Sequence, residues 1–92
     1  MKPTIEIAYC PKCNWLMRAA WMAQELLTTF VDDVDGVKLH PSEVAGRFQV
    51  SIGELIVFDR KREGRFPEAK ELKQLVRDVV CPEKSLGHSD KK

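Results

Sequence analysis

Ninety-two residues at 10.5 kDa supply one hydrophobic core and not two, so the chain reads as a single domain over residues 1–81 with a polar tail over 82–92. Fifteen Lys and Arg against fourteen Asp and Glu leave a net charge of +1, without the basic excess that nucleic-acid backbones require. No apolar run approaches the roughly 18–20 residues of a membrane span, and three cysteines are too few, and odd in number, for a disulfide-stapled secreted scaffold.

Residues 4–9 alternate, with Ile5, Ile7 and Tyr9 on one side and Glu6 on the other, which predicts a short strand with Pro3 at its entry. Because Met1-Lys2-Pro3-Thr4 leads straight into this strand rather than into an apolar leader, the protein is expected in the cytoplasm. Cys10-Pro11-Lys12-Cys13 follows, and a helix is predicted from Pro11 to about residue 31, proline being favoured at a first helical position. Its core face is Trp15, Ala19, Met22, Ala23, Leu26, Leu27 and Phe30. Asp32, Asp33, Asp35 and Gly36 turn the chain into a second strand, residues 37–40, which ends at Pro41.

Phe48, Val50 and Ile52 alternate with Gln49 and Ser51 as a third strand, and Gly53-Glu54 is a two-residue hairpin turn. Residues 55–59 are almost continuously apolar, which predicts a fourth strand covered on both faces. Residues 60–65 read as a basic loop. Phe66-Pro67 opens a last helix, to about residue 80, with Leu72, Leu75, Val76, Val79 and Val80 inward. From Pro82 the polar tail is expected to fray, with His88 in it.

The order β-α-β-β-β-α predicts a parallel first pair, joined by a right-handed crossover, and an antiparallel last pair. By analogy of topology, a four-stranded mixed sheet with helices in this order is a thioredoxin-like α/β fold.

A Cys-x-x-Cys between a strand and a helix carries the chemistry. Unpaired N–H groups and a partial positive charge at a helix start stabilise a thiolate. Two intervening residues let one sulfur attack a substrate while the other resolves the mixed disulfide. Cys10 and Cys13 are thus the candidate catalytic residues, and Lys12 sets a positive charge between them. A competing reading makes the pair half of a zinc site, completed by two of Cys81, His40 and His88. No cofactor and no resident metal are called for by the redox reading.

Ile7-Ala8-Tyr9-Cys10-Pro11-Lys12-Cys13 resembles the start of the selenoprotein W-related, or Rdx, family of thioredoxin-like proteins. The likeness continues in Gly46-Arg47-Phe48-Gln49-Val50, in Gly53-Glu54-Leu55-Ile56 and in Phe66-Pro67, and so spans about residues 4–80. The resemblance implies thiol–disulfide activity linked to glutathione or thioredoxin. It also implies that Cys13 holds the position of selenocysteine in the selenoprotein members, so peroxide reactivity should be weaker here. Two rules then disagree on the attacking sulfur. The thioredoxin pattern favours Cys10 as the more exposed one, and the selenocysteine position favours Cys13, toward which we lean. Gly46-Arg47 stands where thioredoxins place a cis-proline.

The loops after the second and fourth strands should share the edge that carries the cysteines. Arg47, Arg60, Lys61, Arg62 and Arg65 then surround the couple, and the first four, with Lys12, are candidate substrate-binding residues for anionic thiols such as glutathione. A solvated basic loop is the plainer alternative. Met17 and Trp21 lie off the core face of the first helix, either as a surface for a protein client or as apolar residues covered by other segments. His40 reads as a surface histidine or as a base for a thiol, and the alternating charges over 68–78 as a solvated helix face. Cys81, at the far end of the last helix, is expected to take no part. Two function classes remain: a thiol–disulfide oxidoreductase, and a non-catalytic interaction module switched by the same couple.

Overall fold

Alternation decides the first strand. Ile5, Ile7 and Tyr9 of β1 (Thr4–Tyr9) are buried, and Glu6 between them bridges to Lys38 on the open face at 3.7 Å. The computed structural model describes residues 1–87, so His88 lies outside the described residues. After β1 comes a single 3-10 turn at Pro11–Cys13, then α1 (Leu16–Thr29), β2 (Gly36–Pro41), β3 (Phe48–Ile52), β4 (Leu55–Asp59), α2 (Arg60–Glu63) and α3 (Ala69–Val80). Among the described residues no helix is long and apolar enough to cross a membrane.

The sheet order is β2-β1-β3-β4. β1 runs parallel to β2 from Thr4↔Gly36 to Tyr9↔Pro41 and antiparallel to β3 from Ile5↔Ile52 to Tyr9↔Phe48. β3 and β4 form the expected hairpin about Gly53, whose φ of 60° suits glycine. The register shifts once: Val50 faces Phe58 and Ser51 faces Ile56, leaving Val57 as an extra residue on β4. α1 packs on β1 and β2, α3 packs on β4, and the two helices touch each other, so both cover one face. This is the predicted thioredoxin-like mixed sheet in two layers. Phe30, Phe48, Phe58, Leu26, Leu72 and Val76 fill the space between the layers.

Three expectations are corrected. β4 is not covered on both faces: Leu55 is 52% and Ile56 41% exposed, because β4 is an edge strand with helices on one side only. Leu27 and Val79, placed in the core faces of α1 and α3, are 41% and 39% exposed, since the buried stripes are the narrower Ala19, Met22, Ala23 and Leu26, and Leu72 and Val76. The basic loop is helical over Arg60–Glu63. Asp59 caps it by accepting from Lys61 N–H at 3.2 Å, and Gly64 ends it at a φ of 76°.

Beyond α3 the chain turns back on α1. Lys84 donates to the Thr29 carbonyl at 2.9 Å and to Asp33 at 2.7 Å, and Leu86 packs on the core. The polar composition of the tail therefore does not keep residues 82–87 off the domain.

The start of α3 is fixed by charge. Arg65 donates to both oxygens of Glu71 at 2.6 Å, and Glu71 also accepts from Glu68 N–H at 3.4 Å. Glu71→Ala should cost about 1 kcal/mol at neutral pH in urea unfolding, the scale of a lost cap joined to an exposed ion pair. Arg65 holds the Glu71 carboxyl below its ordinary value. A depressed folded value means that the stabilisation is complete above the unfolded pKa, about 4.3, and is lost as pH falls through the folded one. The two proteins should therefore converge in acid; a gap that persists there would assign the loss to contacts other than the charged pair, since alanine is itself the better helix former.

Candidate functional site

The topology brings three segments to one edge. β1 and β2 end there and β3 begins there, with β2 and β3 on opposite sides of β1. The connection over residues 42–47 must therefore cross the end of β1, where Cys10 sits. Ser42 N–H pins it to the Tyr9 carbonyl at 2.8 Å, and Ser42 Oγ accepts from Val44 N–H at 3.0 Å.

Cys10 leaves the strand still extended, with φ −84° and ψ 111°, and Pro11 opens a single 3-10 turn. Asn14 closes the turn in the left-handed region, φ 61°, its N–H donating to the Pro11 carbonyl at 3.2 Å. Asparagine is among the few side chains that tolerate this conformation. The helix predicted from Pro11 therefore begins only at Leu16, and the couple sits on a turn of its own. Residues i and i+3 of a 3-10 turn eclipse, and Cys13 Sγ donates to Cys10 Sγ at 2.6 Å.

The two sulfurs differ. Cys10 is 1% exposed and Cys13 is half-buried, the reverse of the thioredoxin expectation that Cys10 is the open one, because the crossing loop covers the end of β1. The Cys10 thiol is held below its ordinary value, first by the S–H of Cys13, then by Gly46 N–H and the N–H groups of Cys13 and Lys12, against the cost of burial. The Cys13 thiol is pushed up, first because its proton is bonded to Cys10 and then by burial, with Gly46 N–H and the Arg60 charge opposing. Local amides thus take the part expected of the α1 terminus. Lys12 contributes to Cys10 through its backbone.

Gly46 was missed as a functional residue. Its φ of 77° belongs to glycine, and its N–H serves both sulfurs. The available signal was a glycine just before a strand, at the place of the thioredoxin cis-proline.

The basic residues are sorted. Arg47, Arg60 and Lys61 line one cavity of about 290 Å³ together with Gly46, Gln49 and Asp59. Arg62 is not brought to it and instead donates to Glu63 at 3.0 Å, while Arg65 is taken by Glu71. The reason is α2, since about 100° per residue points consecutive side chains in different directions. A second groove, of about 420 Å³, runs beside Cys10, Pro11, Lys12, Pro41 and Ser42. Met17 and Trp21 are 84% and 51% exposed, and Met17 edges a hollow with Leu16, Tyr9 and Pro11.

His40 pairs with Ala8 in register, beside the open face of the sheet. Cys81 lies at the other end of α1, its thiol pushed up by burial and by the Asp33 charge. A fourteen-residue helix is about 21 Å long, far beyond the roughly 7 Å that a disulfide spans between Cα atoms. Among the described residues no group of three His, Cys, Asp or Glu is arranged to hold a metal ion.

The Rdx family pattern matches residues 4–78. Two solved structures are similar along almost all of their own length. A selenoprotein W-related protein from Vibrio cholerae is 50% identical, with 87% of this chain and 99% of that chain covered and a TM-score of 0.82. A protein from Bordetella parapertussis is 51% identical, with 85% and 98% covered and a TM-score of 0.81. No curated protein matches the chain. Carrying its Cys-x-x-Cys at the end of the first strand of a thioredoxin-like sheet, the chain belongs to the Rdx family.

Proposed function

We propose that the protein is a thiol–disulfide oxidoreductase that uses Cys10 and Cys13 as a two-electron couple and exchanges electrons with glutathione or thioredoxin-type thiols. The observation that carries this reading is the 2.6 Å approach of two unequal sulfurs, one acidic and buried, the other half-exposed. A reducing compartment such as the cytoplasm supplies the thiols the cycle needs.

The inequality gives each sulfur a role. Cys13, the reachable one, attacks a disulfide R–S–S–R, forms a Cys13–S–S–R bond and breaks the S–S bond; the departing thiolate takes the Cys13 proton, directly or relayed through Cys10, which is left as the thiolate. Cys10, as the thiolate, then attacks Cys13 Sγ, closes the intramolecular disulfide and releases the second thiol. Two electrons leave the couple and reduce one R–S–S–R to two RSH. External thiols restore the dithiol by the reverse route, in which Cys10 is displaced from Cys13, and a lower pKa makes it the better leaving group.

The exposed Met17, which edges a hollow with Pro11, and the exposed Trp21 one turn further along α1 favour one other reading, an interaction surface for a protein client whose affinity follows the redox state. Turnover separates the two. An oxidoreductase reduces insulin disulfides repeatedly when given dithiothreitol, whereas a switch reacts once and stops.

Trapping assigns the sulfurs. Cys10→Ser should accumulate a mixed disulfide on Cys13, and Cys13→Ser should trap at least about tenfold less, since its remaining sulfur is enclosed. Cys81→Ser should retain turnover. More trapping in Cys13→Ser than in Cys10→Ser reverses the roles.

Titration tests the electrostatics. The ultraviolet absorbance of the reduced protein should show a first thiolate below the ordinary cysteine value of about 8.5. Cys13→Ala removes the largest stabiliser of the Cys10 thiolate, so the midpoint should move up. An unmoved midpoint would mean that the backbone donors alone hold the charge.

A further inference from the structure

Resting on the redox reading above, we propose that Arg60, packed in the angle between the edge-to-face rings of Trp15 and Phe66, anchors a carboxylate-binding subsite beside the couple, with Arg47 and Lys61, and selects disulfides that carry a carboxylate. Arg60 follows directly on β4, whose last residue, Asp59, pairs with Gln49 of β3. Arg47 precedes β3 at the same edge. The two residues, distant in sequence, therefore meet across one cavity through strand register.

The clamp is specific. The Arg60 guanidinium carbon lies 4.9 Å from the Trp15 ring centre and 4.8 Å from that of Phe66, and the two rings meet edge to face at 4.8 Å. Trp15 is two residues from Cys13, so the same clamp ties the arginine to the turn of the couple. A planar cation packed against two rings has less rotamer freedom left to lose on binding.

Its hydrogen bonding is unspent. Arg60 Nε is sealed from solvent with no partner. Among the described residues neither Arg60, Arg47 nor Lys61 has an ion-pair partner, although Arg62 and Arg65 nearby each hold a glutamate. Asp59, the carboxylate on the cavity, is engaged in capping α2 through Lys61 N–H. Arg18 lies 4.0 Å from the Phe66 ring centre and adds to the positive field. A guanidinium with free donors suits a carboxylate, which it can bind through two parallel bonds.

Gly46 joins this subsite to the chemistry, since it lines the cavity while its N–H serves both sulfurs. A carboxylate in the cavity is thus beside a sulfur arriving at Cys13. About 290 Å³ admits a carboxylate side chain or the acidic end of a small molecule.

The experiment follows oxidation of the reduced full chain by three symmetric disulfides: dithiodipropionate, with two carboxylates, the neutral bis(2-hydroxyethyl) disulfide, and the cationic cystamine. Each oxidises the couple and leaves two thiols, and each rate is divided by that of the same reagent with free mercaptoethanol. The wild type should favour the carboxylate reagent over the neutral one, with cystamine slowest. Arg60→Gln should lower the carboxylate-to-neutral ratio about tenfold, the scale of a charge-assisted bidentate contact. That ratio cancels any change in thiolate content. Arg62→Gln should keep the ratio, and Arg47→Gln with Lys61→Gln, which leaves the clamp intact, should lower it in part. A ratio near one in the wild type, or equal ratios in Arg60→Gln and Arg62→Gln, overturns the subsite. If even the neutral reagent fails to oxidise the couple, it is the redox reading that falls. Peptide disulfides with Glu or Gln beside the cysteine give the source: a Glu preference extends the subsite to protein clients, and its absence with the small-molecule ratio intact confines it to small acids.

Discussion

The contact between the two cysteine sulfurs depends on a turn that the following helix does not continue. With Asn14 in the left-handed region, residues 11–13 close on themselves as one 3-10 turn before α1 starts at Leu16. Holding a non-glycine residue there costs on the order of 1–2 kcal/mol, less for asparagine than for most side chains. What the strain secures is independence. The sulfurs meet without following the phase of α1, and the Gly46, Cys13 and Lys12 amides around them, Gly46 foremost, favour the Cys10 thiolate.

That amide arrives through topology. With β1 between its parallel partner β2 and its antiparallel partner β3, any β2–β3 connection passes over the end of β1. Ser42 fastens the crossing at Tyr9, and Gly46, free to take a φ of 77°, aims a peptide N–H at the couple. The same crossing buries Cys10 and brings Arg47 toward Arg60. One chain path thus sets the acidity, the accessibility and the charge of the site. The two helices have a different part: they cover the opposite wall of Ile5, Ile7, Phe48 and Val50 and keep the sheet edge rigid enough for contact-range chemistry.

The sequence was most legible where periodicity speaks. Alternation in residues 4–9 and 48–52, the Gly53 turn and the Leu72 and Val76 centre of the α3 stripe lie where the pattern put them, and the chain order alone told that the first pair is parallel. It was least legible where a single backbone angle decides. Asn14 sits in an otherwise helical run, between a proline favoured at a helix start and a strongly amphipathic segment, and nothing in its spacing marks a break. Gly46 acts through its N–H, which every residue but proline has, so composition does not single it out. The basic cluster showed its charge but not its partners, because the sorting of Arg60 from Arg62 follows from one turn of α2 that reads as loop. The apolar run of β4 pointed to coverage on both sides, since hydrophobicity does not tell an edge strand from a central one.

Acidity and exposure, which usually point to the same sulfur in an activated cysteine, are divided here between two. An enclosed, acidic Cys10 is a poor first attacker and a good leaving group. A half-exposed, less acidic Cys13 is reachable and, once deprotonated, the more nucleophilic of the two, because nucleophilicity falls as pKa falls. Placing the reachable role at Cys13 agrees with the position that selenocysteine takes in the selenoprotein members the sequence resembles.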